Sequence, residues 1–133
     1  MYPIQVSSTS DRFRHEIAIG DKFHLTADEP LEVGGDDTAP TPLDFVLAGL
    51  GSCKAITIKM YAERKGWELT KVKVDVTHQK VNKQYQIFAS LYVEGNLTES
   101  QKQRLLEIAN KCPVHKLIAS EVEIETTLVI TER

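Results

Sequence analysis

Two cysteines are the side chains of this chain with the clearest capacity for covalent chemistry. Cys53 lies in the apolar run L-A-G-L-G-S-C-K-A-I-T-I, and Cys112 lies far downstream in C-P-V-H-K. Their separation excludes a CxxC redox motif, and no spacing of Cys and His resembles a zinc site. A buried helical cysteine is more often a small apolar packing residue than a nucleophile. We therefore predict no metal and no cofactor, and the residues alone leave the role of the thiols open.

A reactive Cys53 needs a cation close to its sulfur. It lies deep within its predicted helix, so the helix N-terminus cannot do much to stabilise a thiolate. Arg12 and Arg14 share the polar face of the predicted N-terminal strand and are the candidates, from the same chain or from a partner subunit. Asp44 is best explained as a helix-capping carboxylate, and its functional alternative is to orient the arginine.

Histidines and glycines offer weaker candidates. His15, His24 and His78 fall in predicted strands and have no convergent partners in the sequence. His115, close to Cys112, is expected to be a solvated residue at the start of the last short helix. Gly34–Gly35 lacks the strand–glycine–helix pattern of a phosphate loop, so it is assigned loop geometry alone.

The element that must position Cys53 is a helix that starts at Thr41 and ends at Gly66. Thr41 is a suitable N-cap, Pro42 suits the first helical position, and Asp44 completes a short-carboxylate capping box. The first three turns are apolar nearly all round, which predicts a helix buried on all sides. It is expected to be too short and too interrupted to span a membrane.

A helix of this kind needs more cover than one small sheet provides. Ala48, Gly51, Ser52 and Ala55 form a small-residue face that suits the close approach of a second helix. We therefore expect a homodimer in which two such helices pack together.

Strands flank this helix on both sides. Ile4–Ser10 and the alternating stretch Asp11–Ala27, turned at Gly20–Asp21, predict three strands before it. After it, alternation around Val72–Val76 and Tyr85–Val93 predicts an antiparallel hairpin joined through V-N-K-Q.

The carboxy-terminal part is predicted to begin with a helix. Thr98 and Gln101 form a capping box, and Cys112 faces the core side of this helix, which Pro113 breaks. A short helix follows, and alternation over Val122–Ile130 predicts a closing strand. The order is βββ-α-ββ-αα-β, an α+β fold in a single domain over residues 1–133.

The net charge and the first residues of the chain argue against some classes of partner. The formal net charge is -3, without the basic stripe of a nucleic-acid-binding protein. Met1 leads directly into Y-P-I-Q-V, with no basic and then apolar stretch typical of a secretory signal. We expect a cytoplasmic protein with no nucleic-acid or membrane partner, whose thiols stay reduced.

The segment P-T-P-L-D-F-V-L-A-G-L-G-S-C-K-A-I-T-I, preceded by A-D-E-P-L-E-V-G-G and followed far downstream by C-P-V-H-K, resembles the OsmC/Ohr superfamily. Within it, the match is to the general OsmC-like branch. The resemblance implies an intertwined homodimer in which β-sheets wrap two central helices and two active sites lie at the subunit interface.

The resemblance also implies a thiol peroxidase that reduces organic hydroperoxides. Cys53 is then the peroxidatic thiolate, which becomes a sulfenic acid, and Cys112 is the resolving thiol, which forms a disulfide with it. A dithiol reductant, such as the lipoylated proteins that serve some relatives, regenerates the pair. The apolar surroundings favour an alkyl or lipid hydroperoxide.

The family's activating residues match less well than its cysteines. Peroxidase members usually carry a glutamate directly after the helix-opening proline, where this chain has Leu43, and Asp44 points about 100° further round the helix. The family's arginine aligns with Arg12 or Arg14 without a unique choice. The alternative is a non-enzymatic OsmC-like protein that binds a hydrophobic small molecule.

Overall fold

The computed structural model describes residues 1–130. They form five strands and three α-helices in two compact units, Met1–Gly49 and the unit from Leu50 onward, and the boundary falls inside the longest helix. The α+β class and the predicted order of elements are confirmed from the first strand to the last helix. The single domain over the whole chain stays a prediction.

The amino-terminal unit contains an antiparallel sheet of three strands. They are β1 (Ile4–Ser8), β2 (His15–Ile19) and β3 (Phe23–Ala27), in the order β1-β2-β3. Ile17 pairs with Val6 on one side and Leu25 on the other, so apolar side chains share one face of the sheet. The predicted turn at Gly20 is confirmed, with a positive φ of 60°.

A turn-rich loop connects β3 to the long helix and contains a 3-10 helix, Leu31–Val33. Gly34 ends that short helix with a φ of 93°, in the left-handed region that glycine adopts at little cost. Gly35 is required for another reason, because a Cβ there would collide with the carbonyl of Glu29. The loop geometry predicted for this glycine pair is confirmed.

The longest helix, α1, spans Pro42–Lys65. At its start the Thr41 N–H donates to Asp44 Oδ2 over 2.9 Å, and the Asp44 N–H donates to Thr41 Oγ1 over 3.2 Å, which is the predicted capping box. Gly66 ends it with a φ of 71°. By length and composition α1 could cross a membrane, a test that core helices of globular proteins also pass, so the expectation that it is too short was wrong.

The prediction that α1 is buried on all sides is wrong for the single chain. One face is buried at Leu50, Lys54 and Ile58, whereas Ile56 and Met60 on another face are 58% and 56% exposed. The sequence gives an apolar composition all round, but the elements of one chain cover only one side.

In the single chain, the residues of the predicted small-residue face lie in different surroundings. Gly51 is buried, and a Cβ there would lie 3.1 Å from the Val76 side chain, so its smallness serves contact with a strand. Ala48 and Ser52 are exposed.

The unit from Leu50 onward is built on a long hairpin. Strands β4 (Glu68–Val81) and β5 (Gln84–Asn96) are antiparallel and turn at Asn82–Lys83, where both residues have positive φ. This is the hairpin predicted through V-N-K-Q, and positive φ at both positions marks a type I′ turn. Helix α2 (Glu99–Ala109) begins at the predicted Thr98–Gln101 capping box.

The core of this unit lies between α1, α2 and the hairpin. Its buried residues are Ile58, Ala62, Leu105, Ile108 and Ala109. Side chains of the hairpin, such as Val72 and Leu91, pack against them. This packing fixes α2, and therefore the segment that follows α2, against the central helix.

Two predictions after α2 need correction. Helix α2 ends at Ala109, so Cys112 lies beyond it and is the N-cap of a third helix, α3 (Pro113–Ala119). The predicted closing strand Val122–Ile130 is not formed in the single chain, where residues 121–130 are neither helix nor strand. A strand needs a hydrogen-bonded neighbour, and no described segment of the chain pairs with this one.

Candidate active site

The structure brings the two cysteines together. Cys53 lies in the middle of α1 and is partly exposed, and Cys112 is fully buried at the start of α3. Both are free thiols. Their side chains are close enough for each to alter the pKa of the other.

The immediate surroundings stabilise the thiolate form of Cys53. Burial is the largest influence on this thiol and acts to raise its pKa. Interactions of the sulfur with the Val114 backbone and the Cys112 side chain favour its charged form and act to lower the pKa. The Thr57 hydroxyl, 3.9 Å from the sulfur, and the charge of Lys54 act the same way, so the pKa of Cys53 lies below its ordinary value.

The pKa of Cys112 is shifted in the opposite direction, above its ordinary value. Burial raises the pKa of the Cys112 thiol, and the nearby Cys53 sulfur raises it further. The His115 backbone N–H donates to Cys112 Sγ over 3.3 Å and opposes these effects without cancelling them. The protonated form of Cys112 is therefore favoured beside Cys53.

Lys54 is a cation whose charge acts on both thiols, and it was not among the predicted residues. Its side chain is 5% exposed, and its Nζ lies 2.8 Å from Nδ1 of His115. A lysine in an apolar helical run would ordinarily be assigned to a solvated edge, so no sequence pattern indicated a role for Lys54.

His115 also differs from its prediction as a solvated residue. It is half-buried, and burial together with the charge of Lys54 lowers its pKa. An ammonium can only donate, so Nδ1 accepts and the ring is neutral with its proton on Nε2. No sequence pattern indicates this contact, because the two residues are far apart along the chain.

The predicted activating residues lie in the amino-terminal unit. Arg12 and Arg14 belong to the loop before β2 and not to the strand itself. Arg14 donates through one guanidinium nitrogen to the Thr38 carbonyl and hydroxyl, over 3.1 and 2.7 Å, and Arg12 lies over the Phe13 ring. Asp44 makes its capping contacts. The roles predicted for these three side chains at Cys53 stay predictions.

A buried carboxylate stabilises the loop that contacts Arg14, and it too was not predicted. Asp28 is 1% exposed and accepts hydrogen bonds from the Glu29 N–H, the Thr38 N–H and the Thr38 hydroxyl, over 2.7, 3.1 and 2.6 Å. The Thr38 hydroxyl is the largest influence that lowers its pKa. The same hydroxyl accepts from Arg14, so Asp28 orients it.

A cavity of about 350 Å³ opens on the other side of Lys54. Lys54, Asn110 and His115 are its polar side chains, and the remaining lining is apolar or aromatic: Leu50, Tyr85, Ile87, Ala89, Ile118 and Ala119. Neither cysteine lines it.

A sequence model of OsmC-like proteins matches residues 34–127, a segment that contains α1, both cysteines and Lys54. The chain belongs to the OsmC-like family. A search of curated proteins by sequence finds no match.

Solved OsmC-like structures share the fold. An OsmC-like protein from Mycoplasma pneumoniae superposes with a TM-score of 0.74 at 21% identity, over 89% of this chain and 86% of that one. The organic hydroperoxide resistance protein OsmC of Legionella pneumophila gives 0.67 at 18% identity, over 90% and 89%. The organic hydroperoxide resistance protein OhrB of Bacillus subtilis gives 0.62 at 18% identity, over 92% and 93%. At these identities the likeness establishes the OsmC/Ohr fold.

Proposed function

We propose that this OsmC-like chain is a thiol-dependent peroxidase that reduces alkyl and lipid hydroperoxides in defence against oxidative stress. The observation that carries the proposal is the opposite shift of two interacting thiols, because the pKa of Cys53 is lowered and the pKa of Cys112 is raised. A nucleophile must be a thiolate, whereas a resolving thiol keeps its proton until a sulfenic acid has formed.

In the proposed cycle, oxidation of the two thiols to a disulfide supplies the two electrons that reduce the hydroperoxide. The Cys53 thiolate attacks the terminal oxygen of the hydroperoxide, the O–O bond breaks, and the leaving alkoxide takes a proton from water to become an alcohol. The sulfenic acid on Cys53 then reacts with the Cys112 thiol, which forms the disulfide and releases water. A dithiol reductant, such as a lipoylated protein, reduces the disulfide, and a cytoplasmic location suits that step.

Exposed apolar surfaces support a homodimer around this site. Ile56 and Met60 lie on the same side of α1 as Cys53, and the chain leaves them open. The apolar face of the β1–β3 sheet is also exposed, at Ile4, Val6, Phe23 and Leu25. A second copy that covered these surfaces would exclude water from the partly exposed sulfur.

The unpaired segment 121–130 supports the same assembly. Its apolar side chains are exposed, with Leu128 at 89%, and they alternate as a strand would. Pairing with a second copy would supply the backbone partners that a strand requires.

Sedimentation is expected to give a dimer at micromolar concentration. Ile56→Asp should shift it toward monomer, whereas Gln103→Asp on the exposed side of α2 should not, and a stable wild-type monomer would contradict the assembly.

The peroxidase proposal is tested by adding stoichiometric cumene hydroperoxide to the reduced protein. We expect both thiols to disappear with a mass decrease of about two daltons, the loss of two hydrogens. Cys53→Ser should abolish the reaction. Cys112→Ser should instead leave Cys53 as a sulfenic or sulfinic acid, with a mass gain of about 16 or 32 daltons. Thiols that survive many minutes of exposure would refute the proposal.

A second candidate function rests on the cavity beside Lys54. Its volume of about 350 Å³ and its mostly apolar lining lie in the range of small-molecule sites. An OsmC-like binding protein would use this cavity and keep its cysteines for packing. Unreactive thiols together with saturable quenching of Tyr85 fluorescence by an apolar ligand would favour this function over the peroxidase.

A further inference from the structure

Among residues 1–130, Lys54 is a buried cation without a counter-ion. Its side chain is 5% exposed, and the ion pairs among residues 1–130 are Lys73–Asp75, Lys102–Glu99 and Arg104–Glu107, none of which includes it. Burial of an ammonium is costly unless every N–H finds an acceptor. A lysine in this position therefore needs an explanation in terms of what it contacts.

Three acceptors satisfy the three N–H groups of Lys54. Its Nζ lies 3.1 Å from the carbonyl oxygen of Ala109, 3.4 Å from Oδ1 of Asn110 and 2.8 Å from Nδ1 of His115. Ala109 is the last residue of α2, whose C-terminal end carries partial negative charge. The end of α2 thus partly replaces the carboxylate that Lys54 lacks.

These contacts join α1 to the segment that contains the second thiol. Ala109 and Asn110 precede Cys112, and His115 follows it, so Lys54 holds the segment on both sides of the cysteine. The His115 backbone N–H donates to Cys112 Sγ. Val114, in the same turn, lowers the pKa of Cys53 through its backbone.

We propose that Lys54 is a positioning residue for the thiol pair, holding residues 109–115 so that Cys112 remains beside Cys53. Its charge acts on both sulfurs. The consequence for turnover rests on the proposed peroxidase function, whereas the positioning of the two thiols does not.

The test compares Lys54→Met and Lys54→Gln with Lys59→Met, which makes the same change at an exposed lysine of the same helix. The first measurement is the rate at which iodoacetamide alkylates Cys53, followed against pH by peptide mapping. In Lys54→Met the midpoint should move up by about one pH unit, because a nearby positive charge has been removed. Lys59→Met should keep the wild-type midpoint.

The second measurement is disulfide formation. With diamide, which needs no peroxidase activity, Lys54→Met should form the Cys53–Cys112 bond about tenfold more slowly than wild type, because the resolving segment is no longer held. With cumene hydroperoxide the same variant should accumulate sulfinic acid on Cys53, about 32 daltons heavier, in place of the disulfide.

Lys54→Gln separates charge from position, since its amide can still donate to the Ala109 carbonyl. It should show the shifted alkylation midpoint but a smaller loss of disulfide rate than Lys54→Met. If Lys54→Met does not fold, Lys54→Gln and Lys54→Arg replace it. Arginine, which keeps the charge, should retain the wild-type midpoint.

Wild-type alkylation midpoints and diamide rates in both Lys54→Met and Lys54→Gln would overturn the proposal. A wild-type protein that is inert to hydroperoxide, but whose Lys54 variants still shift the midpoint and slow the diamide reaction, would refute the peroxidase function and leave the positioning role standing.

Discussion

Within the part of the chain that the structure describes, two regions bury a charge without a counter-ion, and they do so in opposite ways. Asp28 is an anion surrounded by donors, and all of them come from Glu29 and Thr38 in one local loop. Lys54 is a cation surrounded by acceptors, and these come from the end of α2 and from α3, far along the sequence. The comparison indicates that the buried anion shapes a loop, whereas the buried cation connects elements that the chain must bring together.

The difference also separates the two units by role. The network at Asp28 reaches Arg14 through one hydroxyl and leaves the guanidinium on the surface of its own unit. The network at Lys54 reaches both thiols. Substitutions in the first should therefore act mainly on stability, and substitutions in the second mainly on thiol chemistry.

The largest expected effect comes from breaking the anion site with Asp28→Asn. The NH₂ group of the new side chain must face one of the N–H or O–H groups that donated to the carboxylate. Two donors then face each other in a buried place, and neither has an acceptor. We expect a fall in melting temperature of roughly 5 °C or more, measured by circular dichroism. Asp36→Asn, at an exposed position of the same loop, is the control and should melt as wild type does. Equal melting of the two variants would contradict the comparison.

The same variant has an effect on acid stability with a definite sign. The folded-state pKa of Asp28 is lowered, first by the Thr38 hydroxyl. Its contribution is therefore present above the ordinary aspartate pKa of 3.8 and is lost as pH falls through the lowered value. Asp28→Asn should remove this part of the acid-induced loss of stability.

The next effect tests the cation site through pH. The folded-state pKa of His115 is lowered by burial and by Lys54, so its neutral form is favoured in the folded protein. The stability that this provides is complete above the usual value of 6.5 and declines as pH falls below it, because the unfolded chain takes up the proton first.

We therefore expect the melting temperature of the wild type to drop by a few degrees between about pH 7 and pH 5. His115→Asn can retain an acceptor toward Lys54 and does not titrate, so its drop should be smaller. His78→Asn, in the exposed hairpin, should behave as wild type. An identical pH profile for His115→Asn and wild type would show that the neutral ring is not part of the network.

The smallest expected effect tests whether the region around Asp28 influences the Cys53 thiol. Thr38→Val removes the hydroxyl that joins Asp28 to Arg14 and should cost about 1 kcal/mol of unfolding free energy, measured by urea denaturation. If Arg14 is the activating arginine of the family, this variant and Arg14→Met should both slow the alkylation of Cys53 by iodoacetamide, and Arg12→Met should not. The reverse order would assign the role to Arg12.

Local features of the fold were predictable from the sequence because the residues that determine them are close together. The capping boxes at Thr41 and Thr98 each need two side chains three positions apart. The Asn82–Lys83 turn needs two residues that tolerate positive φ between alternating strands. Such signals lie within one window of sequence.

The parts that the sequence did not predict depend on distant segments or on a second chain. Nothing in the sequence distinguishes Lys54 and His115. They come into contact only because α2 ends, and α3 begins, next to Lys54. The cover expected for α1 and the strand expected at Val122–Ile130 both require surfaces that one chain does not contain. The sequence therefore identified the two thiols, whereas their supporting residues became visible only in three dimensions.

The segment 121–130 has a consequence for the lifetime of newly made chains. It lies outside any helix or strand, with its side chains exposed, and exposed segments of this kind are preferred sites of proteolytic cleavage. In the proposed dimer the same residues would be paired and protected. A cell that makes the protein slowly would then lose chains to proteases before they meet, whereas rapid synthesis during stress would let them assemble first. The exposed segment would thereby make the abundance of the protein rise more steeply than its rate of synthesis.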